Sequence, residues 1–135
     1  MKRVFADTSY FIAIIVPNDI AHERAQKLAG QPMQLVTTAW VMVELAAYLS
    51  APPNRGLFNT LLASLRGHPA VELIPATQEL FDRGAELYAA RSDKAWSLVD
   101  CISFHIMSRE GLADALTTDH HFVQAGFGAL LNDAS

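Results

Sequence analysis

The sequence predicts an α/β fold, a parallel sheet with helices on both faces. Three observations lead there. Short apolar runs alternate with longer segments of helical spacing through the whole chain, the pattern of strand–helix–strand units. Turn and breaker residues mark several of the boundaries, Pro17 after the first helix, Gly30 after the second, Pro52 and Pro53 after the third and Gly111 after the last long one. No internal repeat, linker or low-complexity stretch interrupts the alternation.

In order, Arg3–Ala6 reads as a buried strand and Thr8–Val16 as a helix stopped by Pro17. Asn18 or Asp19 is placed to cap a helix over Ala21–Ala29, with Gly30 beyond its end. Gln34–Thr37 is a second strand. Ala39–Leu49 is a strongly apolar helix ended near Pro52 and Pro53. Arg55–Arg66 carries Leu57, Leu61, Leu62 and Leu65 at helical spacing. Val71–Ile74 is a third strand. Gln78–Arg91 is an amphipathic helix with Leu80, Phe81, Ala85, Leu87 and Tyr88 on its buried side. Ser97–Arg109 is a helix closed by Gly111. Ala115–Thr118 and Ala129–Leu131 complete the strands.

The 135 residues suit one domain over 1–135, with 51% hydrophobic and 18% charged residues. Such a chain buries roughly two-thirds of the surface it exposes when unfolded. Asp7 interrupts any basic leader before an apolar run forms, so no secretory signal is expected. The longest apolar stretch, Tyr10–Pro17, is far short of the ~20 residues that span a membrane. Cys101 is the single cysteine, which excludes an intrachain disulfide and suits a reducing cytoplasm. A net charge of −4 argues against binding nucleic acid by bulk charge.

Four acids stand where an acid is costly. Asp7 follows the first strand and Asp119 the fourth, at strand carboxyl ends, where parallel sheets build their sites. Glu44 is the only charged residue between Lys27 and Arg55. It lies in Trp40–Ala47, apolar nearly all round, which implies burial. Asp100 is flanked by Leu98, Val99, Cys101 and Ile102. A buried carboxylate costs several kcal/mol unless compensated, and neither segment offers a matching Lys or Arg. A bound cation would compensate all four. Each acid also has a local structural role open to it. Asp7 can cap the helix that starts at Thr8, and Asp119 the turn that follows it. Ser97-Leu-Val-Asp100 fits a capping box, and Glu44 can face a narrow solvated stripe. The acids Glu23, Glu79, Asp82, Glu86, Asp93 and Glu110 sit among polar neighbours and read as solvated surface.

Oxygen-only ligation selects a hard ion, Mg²⁺ or Mn²⁺. Zinc is a poor fit, because the five histidines show no paired ligand spacing and there is no thiolate pair. His22 and His68 read as surface residues and His105 as structural. His120 and His121 follow Asp119 closely, and phosphate contact or proton transfer is open to them.

With these acids placed, the chain resembles the PIN-domain family, above all the VapC-type toxins of bacterial toxin–antitoxin pairs. The marks are Val4-Phe-Ala-Asp-Thr-Ser9, Val43-Glu-Leu45, Ser97-Leu-Val-Asp100, Thr117-Thr-Asp-His-His-Phe122 and Gly126-Phe127. Their order and spacing cover nearly the whole chain. The resemblance implies a three-layer fold with sheet order 3-2-1-4-5 and a Mg²⁺- or Mn²⁺-dependent endoribonuclease. It implies that Asp7, Glu44, Asp100 and Asp119 are the metal-holding acids, assisted by the hydroxyls of Ser9 (with Thr8 beside it) and Thr118. It implies cleavage to a 5′-phosphate and a 3′-hydroxyl, a homodimer, and a cognate antitoxin. Some members carry a further acid two residues beyond the fourth. His121 stands there instead, which leaves a second ion position open.

Removing the four site acids from the fourteen leaves ten, equal to the ten Lys and Arg. The excess negative charge is then all assigned to the pocket. Arg55, Arg66, Arg91 and Lys94 are candidates for guiding an RNA backbone, or plain surface charges. The apolar helices Trp40–Leu49 and Leu57–Leu65 either fill the core or meet a second copy. A phosphatase of the haloacid dehalogenase type needs an acid at position 9, where Ser9 stands. A response-regulator receiver needs an acidic pair and a late strand-end Lys, and neither is evident. The alternative from another class is a non-catalytic PIN-like module that binds RNA or a protein partner.

Overall fold

The computed structural model describes residues 1–132; the last three residues of the expected domain, 133–135, lie outside the described residues. The elements are β1 (Lys2–Ala6), α1 (Thr8–Ile15), α2 (His22–Ala29), β2 (Met33–Thr38), α3 (Ala39–Tyr48), α4 (Pro52–Gly67), β3 (Val71–Ile74), α5 (Gln78–Ala90), α6 (Leu98–Glu110), β4 (Asp114–Leu116), α7 (His120–Gln124) and β5 (Gly128–Ala129). The five strands pair in parallel in the order β3-β2-β1-β4-β5. This is the α/β architecture expected from the alternation of strands and helices, with the strand order that the family resemblance implies.

The order fixes where a site can form. From β1 the chain steps to β2 and β3 on one side, then jumps across to β4 and β5. The reversal lies between β1 and β4, where Phe5 pairs with Ala115 and Ala6 with Leu116. Crevices open at the carboxyl ends of strands at such a reversal. Right-handed crossovers place α1–α4 on one face and α5–α7 on the other. Accordingly α1 packs on α2 and α3, while α5 packs on α6.

Central strands covered on both faces need continuous apolar runs. Val4, Phe5, Ala6, Val36, Ala115 and Leu116 are completely buried. On the α6 side, Phe104 meets Phe122 edge-on at 4.9 Å and Trp96 at 5.0 Å. These contacts tie α6 to α7 and to the segment leading into the site. Thr38 caps α3, and Thr77 caps α5. Gly111 ends α6 with φ 68°, a left-handed conformation that glycine adopts without steric cost. No helix among the described residues is long and apolar enough to cross a membrane.

Several details differ from the sequence reading. Pro52 and Pro53 begin α4 instead of merely following α3, because the first helical turn needs no backbone donor. The short helix α7 was read only as a turn. In α5, Phe81 and Tyr88 are exposed, not buried. That helix meets α6 along the narrow line Leu80, Gly84 and Leu87, which leaves its flanks outside. The assigned β4 and β5 are shorter than expected at their carboxyl ends. Ladder-like bonds continue past them, however, from Leu130 N–H to Ala115 O and from Leu131 N–H to Thr117 O.

Candidate active site

Asp7 leaves the end of β1 with its backbone still in the sheet, its N–H donating to Leu116 O at 3.2 Å. It occupies the capping position of α1 in extended conformation, yet its carboxylate makes no capping bond. Instead Oδ2 accepts from Thr117 Oγ1 at 2.8 Å and from Ser9 Oγ at 3.4 Å. The capping role open to Asp7 is therefore not the one its side chain performs. It is only 6% exposed. Burial pushes its pKa up to about 6, against the Thr117 hydrogen bond, and the charges of Asp100 and Glu44 add to the rise.

Asp100 sits in the first turn of α6. Its Oδ2 accepts from Ser97 N–H, and Ser97 Oγ accepts from Asp100 N–H, so the capping box is formed. The same Oδ2 lies 3.2 Å from His121 Nδ1. Burial raises its pKa, and the nearby Asp119 charge raises it further, while the Ser97 N–H and His121 lower it. The box and the acidic cluster thus share one carboxylate.

Asp119 caps α7, Oδ1 accepting from His121 N–H at 2.9 Å. That oxygen is also 3.3 Å from His121 Nδ1. Asp119 N–H donates to Thr117 Oγ1 at 3.0 Å.

Glu44 departs from expectation. It is exposed, because α3 buries only the line Val41, Met42 and Leu45 and turns Val43, Glu44, Ala47 and Tyr48 outward. Apolarity all round the helix does not mean burial all round in this chain. Glu44 still reaches the cluster, its Oε1 accepting from Thr8 Oγ1.

The hydroxyls also need correction. The one that holds Asp7 belongs to Thr117, which is completely buried, whereas the Thr118 side chain is exposed. Thr118 contributes its backbone N–H, which donates to Ser9 Oγ at 3.1 Å. Consecutive residues leaving a strand face opposite ways, and here the first of the pair turns toward Asp7. Ser9 Oγ lies 3.1 Å from Thr117 Oγ1 and joins the network. Sequence reasoning missed Thr117 and named Thr8 only as a neighbour of Ser9.

Among the described residues, no Lys or Arg forms an ion pair with Asp7, Glu44, Asp100 or Asp119. Acids from two central strand ends and from helices on both faces converge with no Lys or Arg counterweight among the described residues. Their donor chemistry fits a divalent cation. Three of the four basic residues considered for RNA make contacts away from the acids. Arg91 stacks over Trp96 at 5.0 Å and donates to Asp93, Lys94 lies 3.9 Å from Asp93, and Arg55 donates to Ser50 O.

A family model for the PIN domain matches residues 4–128. The chain belongs to the PIN-domain family. This PIN domain is similar to the 23S rRNA-specific endonuclease VapC20 of Mycobacterium tuberculosis, with 27% identity over 125 residues, 92% of this chain and 95% of that one. The crystal structure of M. tuberculosis VapC20, a sarcin–ricin-loop-cleaving toxin, matches with a TM-score of 0.81 and 26% identity over 92% of this chain and 95% of that one. Two further structures share the fold. VapBC2 from Rickettsia felis, bound to a promoter DNA fragment, matches at TM-score 0.66 and 12% identity, covering 94% and 96% of the two chains. FitAcB from Neisseria gonorrhoeae matches at TM-score 0.67 and 18% identity, covering 93% and 95%.

Proposed function

We propose that this PIN domain is a divalent-metal-dependent endoribonuclease, the toxin of a toxin–antitoxin pair. The observation that carries the reading is Asp7, a buried carboxyl raised to about 6 at the sheet's reversal point, with other acids around it and no basic partner among the described residues. Asp7, Asp100 and Asp119 would hold Mg²⁺ or Mn²⁺. When bound, the ion neutralises phosphate charge and makes water more acidic. Glu44, exposed at the rim, orients the attacking water. Ser9 and Thr117 fix the Asp7 carboxylate, and Thr8 fixes Glu44. Water adds to phosphorus and the bond to the 3′ oxygen breaks, leaving a 5′-phosphate and a 3′-hydroxyl.

The substrate class is structured RNA, and the 23S rRNA specificity named for VapC20 makes an rRNA stem–loop the first to try. We also propose a cytoplasmic setting and two protein partners, a second copy of the chain and a cognate antitoxin. The exposed Val43 and Tyr48 on α3 and Leu57 on α4 supply apolar surface for such contacts.

The test is cleavage of structured RNAs by purified protein with EDTA, Mg²⁺ or Mn²⁺, beside Asp7→Asn and Asp100→Asn. Metal-dependent cleavage lost in both variants is the expected result. Cleavage in EDTA, or undiminished in both variants, sinks this mechanism. Absence of Mn²⁺ binding in calorimetry at neutral pH would favour the non-catalytic module.

A further inference from the structure

His121 is the member of the cluster that is neither acid nor hydroxyl. Its Nδ1 lies 3.2 Å from Asp100 Oδ2 and 3.3 Å from Asp119 Oδ1. The ring is not free to wander, since its side chain is only 20% exposed. Its own backbone N–H donates to the same Asp119 oxygen, and Asp100 Oδ2 is pinned by Ser97 N–H. A nitrogen is thus held between two anchored carboxylate oxygens that come from different elements.

That spacing is the spacing of neighbouring ligands. For an ion about 2.1–2.3 Å from each donor, adjacent corners of an octahedron stand ~3.0–3.3 Å apart. Donor atoms of Asp119, His120 and His121 all lie within 4.8 Å of one another, and Asp100 meets this group through its 3.2 Å approach to His121 Nδ1. His120 is the weaker member, 71% exposed and 3.8 Å from Asp119.

We propose that His121 Nδ1 is a metal ligand beside Asp100 and Asp119, so that the centre is a mixed nitrogen–oxygen site and takes Mn²⁺ in preference to Mg²⁺. This rests on the metal-dependent reading above and goes further, naming a ligand and selecting the ion. Mg²⁺ sheds water reluctantly and favours oxygen, whereas imidazole is a ligand of transition ions.

The experiment is Mn²⁺ titration followed by calorimetry and pulsed electron paramagnetic resonance, with unlabelled and ¹⁵N-histidine protein. The wild type should show one histidine nitrogen coupled to bound Mn²⁺, and a Kd for Mn²⁺ at least about tenfold below that for Mg²⁺. His121→Asp should keep Mn²⁺, lose the coupling and bring the two affinities together. His120→Ala should keep the coupling. Mn²⁺ bound without nitrogen coupling, or coupling that survives His121→Asp or vanishes in His120→Ala, overturns the ligand assignment and leaves the nuclease reading standing. A wild type that binds no Mn²⁺ overturns both. If His121→Asp does not fold by circular dichroism, the labelled wild type together with His120→Ala still decides the assignment.

Discussion

The hydroxyl of Thr117 donates to Asp7 Oδ2 at 2.8 Å across the seam between β1 and β4. Thr117 Oγ1 in turn accepts from Asp119 N–H at 3.0 Å. One buried hydroxyl therefore sets the orientation of one acid by its proton and the backbone of another by its lone pair. Thr117→Val keeps the shape and removes both bonds, together with the 3.1 Å contact to Ser9 Oγ. Cleavage should fall about 10–100-fold, as when the group that orients a ligand is lost. Stability should fall by ~1–2 kcal/mol, because Asp119 N–H loses its acceptor. Thr118→Val should stay near wild type. Kinetics and urea denaturation of the two variants check this, and equal losses at both positions would contradict it.

Glu44 tests a different role. It is exposed and held through the Thr8 hydroxyl. Gln keeps an acceptor for Thr8 but lacks the negative charge that orients the attacking water. Glu44→Gln should leave stability within about 0.5 kcal/mol and lower the cleavage rate at least ~100-fold. Metal affinity by calorimetry should change little, in contrast to Asp7→Asn. Loss of metal binding in Glu44→Gln would place Glu44 among the direct ligands.

How far the sequence spoke depended on what each residue meets. The strands β1, β2 and β3 were legible because apolar blocks flanked by turn residues leave few other solutions. The capping box at Ser97 and Asp100 and the Gly111 terminus were legible because both depend on local backbone geometry alone. Glu44 was placed in the core because a helix apolar on every side hides which side is inner. Val43 and Tyr48 occupy the outer side, and a single chain carries no mark that separates a core face from one suited to a partner. Phe81 and Tyr88 on α5 misled in the same way. Thr117 was passed over for Thr118 because two identical neighbours differ only by the turn that the chain takes after β4. The part of His121 was out of reach, since Asp100 and Asp119 meet it only after α6 and α7 pack.

Gly84 fixes how closely α5 approaches α6. A Cβ there would stand 2.3 Å from Ile102 Cγ1 and 3.1 Å from Ile102 Cα and N. The Ile102 side chain is 1% exposed and has little room to turn, and its backbone belongs to α6. Gly84→Ala must push the helices apart, at a cost of ~1–3 kcal/mol. Asp100 lies two residues earlier on α6, so cleavage should fall along with stability. Denaturation midpoints and cleavage rates at low temperature, where the variant remains folded, check both effects. Unchanged stability would mean that the helices are not in close contact at this position.

The raised pKa of Asp7 makes a prediction about stability in the metal-free protein. Its carboxyl moves from 3.8 to about 6 on folding, burial being the largest cause. The folded state then binds a proton more tightly than the unfolded state. Stability from this group is fully present below pH 3.8 and is lost as pH rises through about 6, with no further change above. The loss amounts to ~3 kcal/mol at about 1.4 kcal/mol per tenfold change in proton affinity. Asp100 is raised in the same direction and adds to the slope. Asn at position 7 keeps an acceptor for Thr117 and carries no charge. In EDTA, Asp7→Asn should therefore be more stable than wild type at pH 7.5, with the advantage shrinking toward pH 4. Millimolar Mn²⁺ should reverse the order, because an ion that binds only the folded wild type stabilises it by mass action. Urea denaturation across pH 4–8, with EDTA and with Mn²⁺, measures both halves. A wild type that gains stability over Asp7→Asn between pH 4 and 6 in EDTA would show that Asp7 is not held against its charge.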